Sequence, residues 1–281
     1  MIVFLNGQFV AEEKAVVSVF DRSFLYGDGL FETLRIYAGK PFCWPQHVER
    51  LQRGAEFLKL RLPFGPKALR DAVMQLIRRN DLPEALLRIT LSRGVGPRGY
   101  SPRGADQPVL VMSLHPAPGV DLRNPPLWRL VTSSMRLPSR EALAQFKTCN
   151  KLPQILARAE AEASGADEAL LLNTDGEVAE AASSNLFWIQ HNTVCTPPLA
   201  SGILAGVTRS VVLEICQRLA LPAREVGILP TALQQVDGIF VSLSSFGIVE
   251  AASLDGQPVR QSPLATKIRE AYEAQVKVLE H

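Results

Sequence analysis

The chain has 281 residues, 47% hydrophobic and 21% charged, enough to bury a substantial core in one large domain or two smaller ones. Its 30 Lys and Arg against 28 Asp and Glu give a formal net charge of +2, which argues against a nucleic-acid or anionic-membrane partner. Since no stretch approaches the roughly 18 continuous apolar residues of a membrane span and no targeting pattern is present, we expect a cytoplasmic protein.

The first 80 residues predict a hairpin, a strand and two helices. Asn6-Gly7 is a tight-turn dipeptide between apolar runs, and it indicates a β-hairpin. The glycine-rich stretch YGDG precedes a predicted strand, FETLRIY, in which Thr33 lies. The apolar spacing of HVERLQRGAEFL predicts an amphipathic helix that carries Arg50, and a second helix is predicted after Gly65.

Strands dominate the next segment, 85–94 and 108–116, with a loop rich in glycine and arginine between them. Such a loop can bind single-stranded nucleic acid, but it is short and has no basic neighbourhood. A loop whose Arg98 faces a carboxylate substrate fits this stretch better. Closely spaced prolines after this segment predict a linker at 118–124, between a domain at 1–117 and a second domain at 125–281.

The second domain contains a lysine, a glutamate and a helix start that could serve one ligand. Lys147 precedes a predicted helix from about Pro153, whose buried side we expect to be an apolar stripe: Leu152, Ile155, Leu156, Ala159 and Ala163. Glu180 lies on the second of two strands joined by a turn, beside small residues that leave room for a planar ligand. A helix that begins near Gly206 would expose the amides of Val207 and Thr208 to an anion.

These residue types match the requirements of pyridoxal phosphate. A lysine amine binds its aldehyde, a carboxylate keeps its ring nitrogen protonated, and a helix N-terminus with an arginine holds its phosphate. Any protein of this size contains some lysine, some glutamate and some helix start, so the pattern permits this chemistry without requiring it. The four cysteines and four histidines show no metal-ligand spacing and no catalytic triad, so we expect no metal.

Long motifs resemble the class IV (fold-type IV) pyridoxal-phosphate aminotransferases and lyases. The central one begins at Lys147-Thr148-Cys149-Asn150 and continues as GADEALLLN and DGEVAEAASSNLFW. The others are YGDGLFET at 26–33, HVERL at 47–51, SRGVGPRGY at 92–100 and AGVTR at 205–209. The resemblance implies an α/β (α+β) fold with a smaller N-terminal α/β domain and a larger, β-rich C-terminal domain. It also implies a homodimer whose active site includes residues of the partner chain.

The resemblance assigns roles to individual residues. Lys147 would be the Schiff-base lysine and proton carrier, and Glu180 the partner of the pyridine nitrogen. The phosphate would be bound by Arg50, by the amides of Val207 and Thr208, and by the hydroxyl of Ser244. Thr33, Arg98 and Tyr100 match substrate-side positions.

Three activities compete within this family: 4-amino-4-deoxychorismate lyase, D-amino-acid transaminase and branched-chain transaminase. Lys151 stands where the branched-chain type usually has tyrosine, and this counts against that type. FETLR, SRGVGPRGYS and SNLFW look most like the lyase, which releases pyruvate and 4-aminobenzoate for folate biosynthesis. Leu243 and Glu250-Ala251 depart from the lyase pattern of asparagine and proline-valine at those places. We therefore expect a lyase acting on a small-molecule amine, with a D-selective transaminase as the alternative.

Overall fold

The structure is a computed structural model that describes residues 1–119, 121 and 123–280. Its chain divides into two compact units. Unit 1 comprises Met1–Ala117, the segment Phe146–Asn150 and the end of the last helix from Leu279. Unit 2 comprises Pro118–Gln145 and Lys151–Val278.

The predicted domain boundaries at 117 and 125 stay a prediction. Val120 and Leu122 of the predicted linker, and His281 at the end of the predicted second domain, lie outside the described residues. The division into units also groups Phe146–Asn150 with unit 1, a grouping that the sequence did not suggest.

Unit 1 is built on an antiparallel sheet with the strand order β2-β1-β6-β5-β3-β4. The strands are β1 (Ile2–Leu5), β2 (Gln8–Ala11), β3 (Gly29–Tyr37), β4 (Lys40–Pro41), β5 (Ala85–Ser92) and β6 (Val109–Pro116). The helices are α1 (Arg22–Tyr26), α2 (Trp44–Phe57) and α3 (Pro66–Asn80). The predicted hairpin is confirmed, since β1 pairs with β2 and both turn residues, Asn6 and Gly7, have positive φ.

The two faces of the unit 1 sheet differ in character. Leu30, Leu34 and Ile36 of β3 belong to a core that also contains apolar residues of α2 and α3. Because side chains alternate along a strand, Phe31 and Thr33 lie on the other face. We call this second side the open face.

Unit 2 is built on a mixed sheet with the order β12-β11-β10-β13-β14-β7-β8-β9, and β15 pairs with β14. The strands are β7 (Leu127–Leu137), β8 (Glu168–Asn173), β9 (Val178–Ala181), β10 (Asn185–Gln190), β11 (Thr193–Thr196), β12 (Ala223–Glu225), β13 (Gly238–Leu243), β14 (Gly247–Leu254) and β15 (Gln257–Pro258). The helices are α4 (Leu152–Ala163), α5 (Val207–Arg218), α6 (Pro230–Leu233) and α7 (Pro263–Glu280). No helix among the described residues is long and apolar enough to cross a membrane.

The prediction of which α4 residues are buried was wrong. Leu152, Ile155 and Leu156 are 63%, 61% and 45% exposed, whereas Ala157 and Ala161 are fully buried. Ala159 and Ala163 are exposed as well. The small alanines face a core formed with β7 and β8, where a helix can approach a sheet closely. Periodicity identified an apolar side of the helix, but it could not show that the smaller side faces inward.

Candidate functional site

Lys147 is held at the edge of the unit 1 sheet, next to the start of β3. Its carbonyl oxygen accepts a hydrogen bond from the amide of Phe31 at 2.8 Å, and the amide of Cys149 donates to the carbonyl of Gly29 at 2.9 Å. These bonds make the segment a short extension of the sheet. The Nζ atom of Lys147 lies over the Phe31 ring, 4.8 Å from its centroid. The candidate catalytic amine is therefore directed at the open face.

A second cation, which the sequence analysis missed, lies over the same ring. The guanidinium carbon of Arg88 is 4.0 Å from the Phe31 centroid. This carbon and Lys147 Nζ are therefore no farther apart than the sum of their distances to that centroid. Arg88 is directly opposite Thr33 in the β3–β5 register. Its Nε donates to the Thr90 hydroxyl, and no carboxylate among the described residues pairs with it.

Burial lowers the pKa of the Arg88 guanidinium, and the nearby Cys149 thiol offsets part of this effect. Arginine nevertheless stays protonated, so a half-buried positive charge remains beside the lysine. A cation without a carboxylate partner in such a place favours an anionic ligand, because burying an unpaired charge is costly. The open face thus offers an amine, a hydroxyl and a carboxylate-binding group.

Arg50, the predicted phosphate ligand, is buried in a cluster with Glu32 and His47. Its Nε and Nη2 donate to the two carboxylate oxygens of Glu32 at 2.8 and 2.7 Å. The Nδ1 atom of His47 is 2.7 Å from Glu32 Oε2. Since an ionised carboxylate only accepts hydrogen bonds, Nδ1 must carry the proton. One carboxylate thereby binds one edge of the guanidinium with two hydrogen bonds and fixes its orientation.

The ionisation of this cluster follows from burial and charge. Burial raises the pKa of Glu32, but the charge and hydrogen bonds of Arg50 and the hydrogen bond of His47 outweigh it and lower the pKa to about 2. Burial also lowers the pKa of His47, and the charges of Arg50 and Lys147 add to this effect while Glu32 opposes it. At neutral pH the cluster therefore contains an ionised Glu32 and an uncharged His47.

We expect this cluster to make the folded state less stable as the pH falls. Both native pKa values are lower than their ordinary values of 6.5 for His47 and 4.5 for Glu32, so the unfolded state binds more protons in acid. His47 contributes its stability above pH 6.5 and begins to lose it below that value, and Glu32 loses its own between pH 4.5 and about 2. His47→Asn, whose amide can replace Nδ1–H, should flatten the free energy of unfolding between pH 6.5 and 4.5.

Urea unfolding across this pH range measures the effect. His115→Asn is the matched control, because it makes the same substitution at an exposed histidine of β6, outside the Glu32 cluster. Equal slopes for His47→Asn and the wild type would contradict the assignment.

Glu180 is held in unit 2 by two hydrogen bonds to one oxygen. Its Oε2 accepts from Asn185 Nδ2 at 3.1 Å and from the amide of Leu204 at 2.9 Å. Asn185 also donates to the carbonyl of Leu204 at 3.0 Å. The sequence analysis gave no role to Asn185, because an asparagine at the start of a strand has no signal of its own. These bonds fix the carboxylate in one orientation, which suits a group that binds a ring nitrogen.

The predicted anion site at the start of α5 is supported by the local geometry. Val207 and Thr208 are buried, and the N-cap residue Gly206 offers no side-chain cap. A side chain at Gly206 could not be accommodated, since its Cβ would lie 1.9 Å from Asn185 Oδ1. A buried helix start without a cap leaves amide donors for a ligand. Asn185 therefore contacts both the Glu180 carboxylate and this helix start.

Ser244 follows β13 in unit 2 and is half-buried. Two other hydroxyls in unit 2 are buried without a hydrogen-bond partner among the described residues. They belong to Ser184, between β9 and β10, and to Ser242, on β13. Orphaned buried donors, an uncapped helix start and an oriented carboxylate are what a phosphorylated pyridine ligand needs. The residues present in unit 2 thus fit pyridoxal phosphate.

Two of the predicted substrate residues lie on a loop of unit 1 and not in its sheet. Arg98 and Tyr100 are on the exposed loop between β5 and β6, and 89% of Tyr100 is accessible. Thr33, in contrast, lies on the open face opposite Arg88. The structure therefore brings Lys147, Thr33 and Arg88 together in unit 1 and leaves Arg98 and Tyr100 at its surface.

The two departures from the lyase pattern have structural explanations. Leu243 is part of the unit 2 core. Glu250 faces α7, where it accepts a hydrogen bond from the Thr266 hydroxyl at 3.2 Å and lies 3.9 Å from Arg269. Burial raises the pKa of Glu250, while Thr266 and Arg269 oppose that shift. Both residues thus serve packing within unit 2.

Comparison with known proteins decides the family. The sequence profile of amino-transferase class IV matches residues 29–254. The chain belongs to this family. The match includes the Lys147 segment, the Glu180 strand and the start of α5.

Relatives in the class IV family carry three different activities in their names. A Methanocaldococcus jannaschii protein, provisionally named a branched-chain-amino-acid aminotransferase, is 32% identical over 97% of this chain and 95% of its own. The D-alanine aminotransferase of Staphylococcus epidermidis is 31% identical over 95% and 94%. The aminodeoxychorismate lyase of Bacillus subtilis is 28% identical over 90% and 87%.

Solved class IV structures have the same fold along nearly the whole chain. The branched-chain aminotransferase of Thermoproteus uzoniensis, determined with norvaline, aligns with a TM-score of 0.90 and 30% identity, covering 98% of this chain and 94% of its own. Another branched-chain amino acid aminotransferase, determined with pyridoxamine 5′-phosphate, aligns with a TM-score of 0.92 and 29% identity, covering 100% and 95%. The expected fold-type IV architecture and family are therefore confirmed. The protein is an enzyme, and its cofactor is pyridoxal 5′-phosphate.

Proposed function

We propose that the protein is a 4-amino-4-deoxychorismate lyase, which eliminates pyruvate from its substrate to give 4-aminobenzoate for folate biosynthesis. The observation that supports this most is Arg88, which lacks a carboxylate partner among the described residues and shares the Phe31 ring with Lys147. The substrate of this reaction carries its reacting amine and its ring carboxylate at opposite ends of a six-membered ring. Lys147 and Arg88, which both lie over the Phe31 ring, would place a group that reacts with the amine near a group that binds the carboxylate.

The position of each residue indicates its role in this reaction. When bound, pyridoxal phosphate withdraws electrons from the substrate carbon that bears the amine. Lys147 would remove the proton from that ring carbon and later return a proton to the departing enolpyruvyl group, which becomes pyruvate. Arg88 would bind the ring carboxylate, and Thr33 would contact the substrate from the same face.

The remaining candidates would bind the cofactor and the second carboxylate. Glu180 would keep the pyridine nitrogen protonated, positioned by Asn185. The phosphate would be bound by Arg50, by the amides of Val207 and Thr208, and by the hydroxyl of Ser244. Arg98 and Tyr100 would contact the enolpyruvyl carboxylate from the partner protomer.

The alternative is a D-amino-acid transaminase. The chain is 31% identical to the D-alanine aminotransferase and 28% identical to the lyase, a difference that supports this alternative. In that reaction Lys147 would move a proton between the substrate carbon and the cofactor carbon. A branched-chain transaminase is supported by the 32% identity with the archaeal relative, while Lys151 counts against it. Identity in this range reflects the shared fold and cofactor more than the substrate.

A direct assay separates these functions. The holoenzyme is incubated with 4-amino-4-deoxychorismate, and in parallel with D-alanine or L-leucine plus 2-oxoglutarate. Equal amounts of pyruvate and 4-aminobenzoate, formed without a keto-acid acceptor, would support the lyase. Glutamate formed from D-alanine or L-leucine, with no 4-aminobenzoate, would reject it.

Arg88→Met should raise KM for the carboxylate substrate by about 10- to 100-fold, since a hydrogen bond to a charged group contributes about 1.5–3 kcal/mol. The substitution keeps a flexible, unbranched stem and removes the charged group. Steady-state kinetics measure the change. Arg61→Met is the control, because Arg61 is an exposed arginine of unit 1. An unchanged KM for Arg88→Met would show that the substrate carboxylate binds elsewhere.

We also infer a homodimer. Several large apolar side chains in unit 1 are exposed, among them Val16, Phe20 and Phe24 at 74%, 65% and 72%. The apolar stripe of α4 in unit 2 is exposed in the same way. Large apolar side chains exposed in this way indicate a protein–protein interface. Sedimentation equilibrium on the holoenzyme tests the assignment.

A further inference from the structure

A buried arginine at the start of α1 joins the β5–β6 loop to Asp28. Arg22 is 3% exposed. Its Nε donates to Asp28 Oδ2 at 2.8 Å, while Nη1 and Nη2 donate to the carbonyls of Gly99 and Tyr100 at 2.9 and 3.2 Å. The two carbonyls lie on either side of the Tyr100 Cα atom, and Gly99 directly follows Arg98, the other predicted substrate residue of the loop. We call the Arg22 and Asp28 pair the loop clamp.

Asp28 anchors the clamp to the rest of unit 1. The same Oδ2 accepts a second hydrogen bond, from Arg93 Nε at 2.8 Å. Arg93 in turn donates to the carbonyls of Lys59 and Leu58, just beyond α2. Burial raises the pKa of Asp28, but the hydrogen bonds and charges of Arg93 and Arg22 outweigh it and keep the pKa below its ordinary value. The clamp therefore stays charged at neutral pH.

Other contacts show that the loop is fitted around Arg22. Gly94 closes the neck of the loop, since a Cβ there would lie 1.9 Å from the carbonyl oxygen of Gln107. A Cβ at Gly96 would lie 3.2 Å from Arg22 Cδ. The amide of Gly99 donates to the hydroxyl of Tyr26 at 3.1 Å, and the Tyr26 and Tyr100 rings meet edge to face. The backbone around residue 99 is thus held from one side by α1.

We propose that Arg22 is a positioning residue for substrate binding, which sets the place of Arg98 and Tyr100 through the backbone carbonyls of Gly99 and Tyr100. The inference rests on the proposed function, in which those two side chains bind a substrate carboxylate. Arg98 is exposed, so its own packing does not determine its location. The planar fork of arginine reaches a carboxylate and two carbonyls together, whereas the single ammonium of lysine cannot.

The test compares Arg22→Lys, a loop variant with both Arg98→Ala and Tyr100→Ala, and the combination of all three as holoenzymes. Arg22→Lys keeps the charge beside Asp28 and loses the fork, so KM for the amine substrate should rise about tenfold while kcat stays within about twofold. In the background of the loop variant, Arg22→Lys should add no further increase in KM. Hydrogen exchange of residues 95–104 should be faster in Arg22→Lys than in the wild type. Arg103→Lys, an exposed arginine of the same loop, is the control and should change neither measurement.

The outcomes distinguish the inference from the function on which it rests. A wild type that turns over none of the assayed amines would reject the proposed function, and hydrogen exchange would still decide whether the clamp holds the loop. If the loop variant leaves KM unchanged, the substrate role of the loop is wrong and the inference falls with it. If the loop variant raises KM but Arg22→Lys raises it further by the same factor as in the wild type, the inference alone is overturned. Should Arg22→Lys fail to fold, Tyr26→Phe takes its place in the same measurements of KM and hydrogen exchange, because it removes only the hydroxyl that accepts the Gly99 amide.

Discussion

Replacing Lys147 with alanine should lower kcat by at least about four orders of magnitude, because one side chain provides both the covalent attachment of the cofactor and the proton transfer. Its position supports this role, with Nζ over the Phe31 ring on the face that also carries Arg88. The measurement is turnover of whichever amine the wild type accepts. Lys40→Ala is the control, because Lys40 is exposed on β4 and should leave kcat unchanged.

A chemical readout makes the result independent of activity. Borohydride reduction of the wild-type holoenzyme should leave a phosphopyridoxyl group on the peptide that contains Lys147, as mass spectrometry detects. Lys147→Ala should carry no such group on any residue. A Lys147→Ala enzyme with near-normal turnover, or a label found on another lysine, would reject the assignment of the cofactor's anchor.

Replacing Glu32 with glutamine should lower the free energy of unfolding by about 3–5 kcal/mol, the usual effect of leaving a buried charge without its partner. Glu32 is 1% exposed, and it accepts hydrogen bonds from both Arg50 and His47. The affinity for pyridoxal phosphate should fall as well, since Arg50 would lose the carboxylate that orients it. Urea unfolding and cofactor titration measure the two effects.

Two further variants separate stability from cofactor binding. Glu49→Gln removes an exposed carboxylate from the same region of α2 and should leave stability within about 0.5 kcal/mol of the wild type. Glu32→Leu combined with Arg50→Met replaces the ion pair by apolar groups and should recover much of the lost stability without recovering cofactor affinity. A loss below about 1 kcal/mol for Glu32→Gln would mean that the cluster relaxes or admits water.

Local signals were enough to find the strands and helices that carry the site. The FETLRIY segment is β3, the HVERL segment lies in α2, and α5 begins directly after Gly206 as predicted. Lys147 and Glu180 were identified because they lie in long motifs whose residue order matches a known family. Each of these predictions depends only on residues that are close together in the sequence, so it can be read from a single chain.

Roles that depend on distant partners were not visible in the sequence. Arg88 stands between apolar residues of β5, and this local pattern gave it no role. Its significance appears when Lys147, far along the chain, is placed over the same ring. Arg22 is a comparable case, since its partners include the carbonyls of Gly99 and Tyr100. A sequence cannot show which of many arginines lacks a carboxylate or holds a loop.

The sequence by itself determined the family and the cofactor, and it predicted which residues carry the chemistry, because such motifs are residue types in a fixed local order. Only the tertiary structure decided which surfaces are inside and which charges are paired. On α4 it buried Ala157 and Ala161 and left Leu152 and Ile155 exposed. It also joined Arg50 to Glu32 and left Arg88 free of any carboxylate among the described residues. Burial and ion pairing depend on side chains that are distant in the sequence, so only the folded arrangement specifies them.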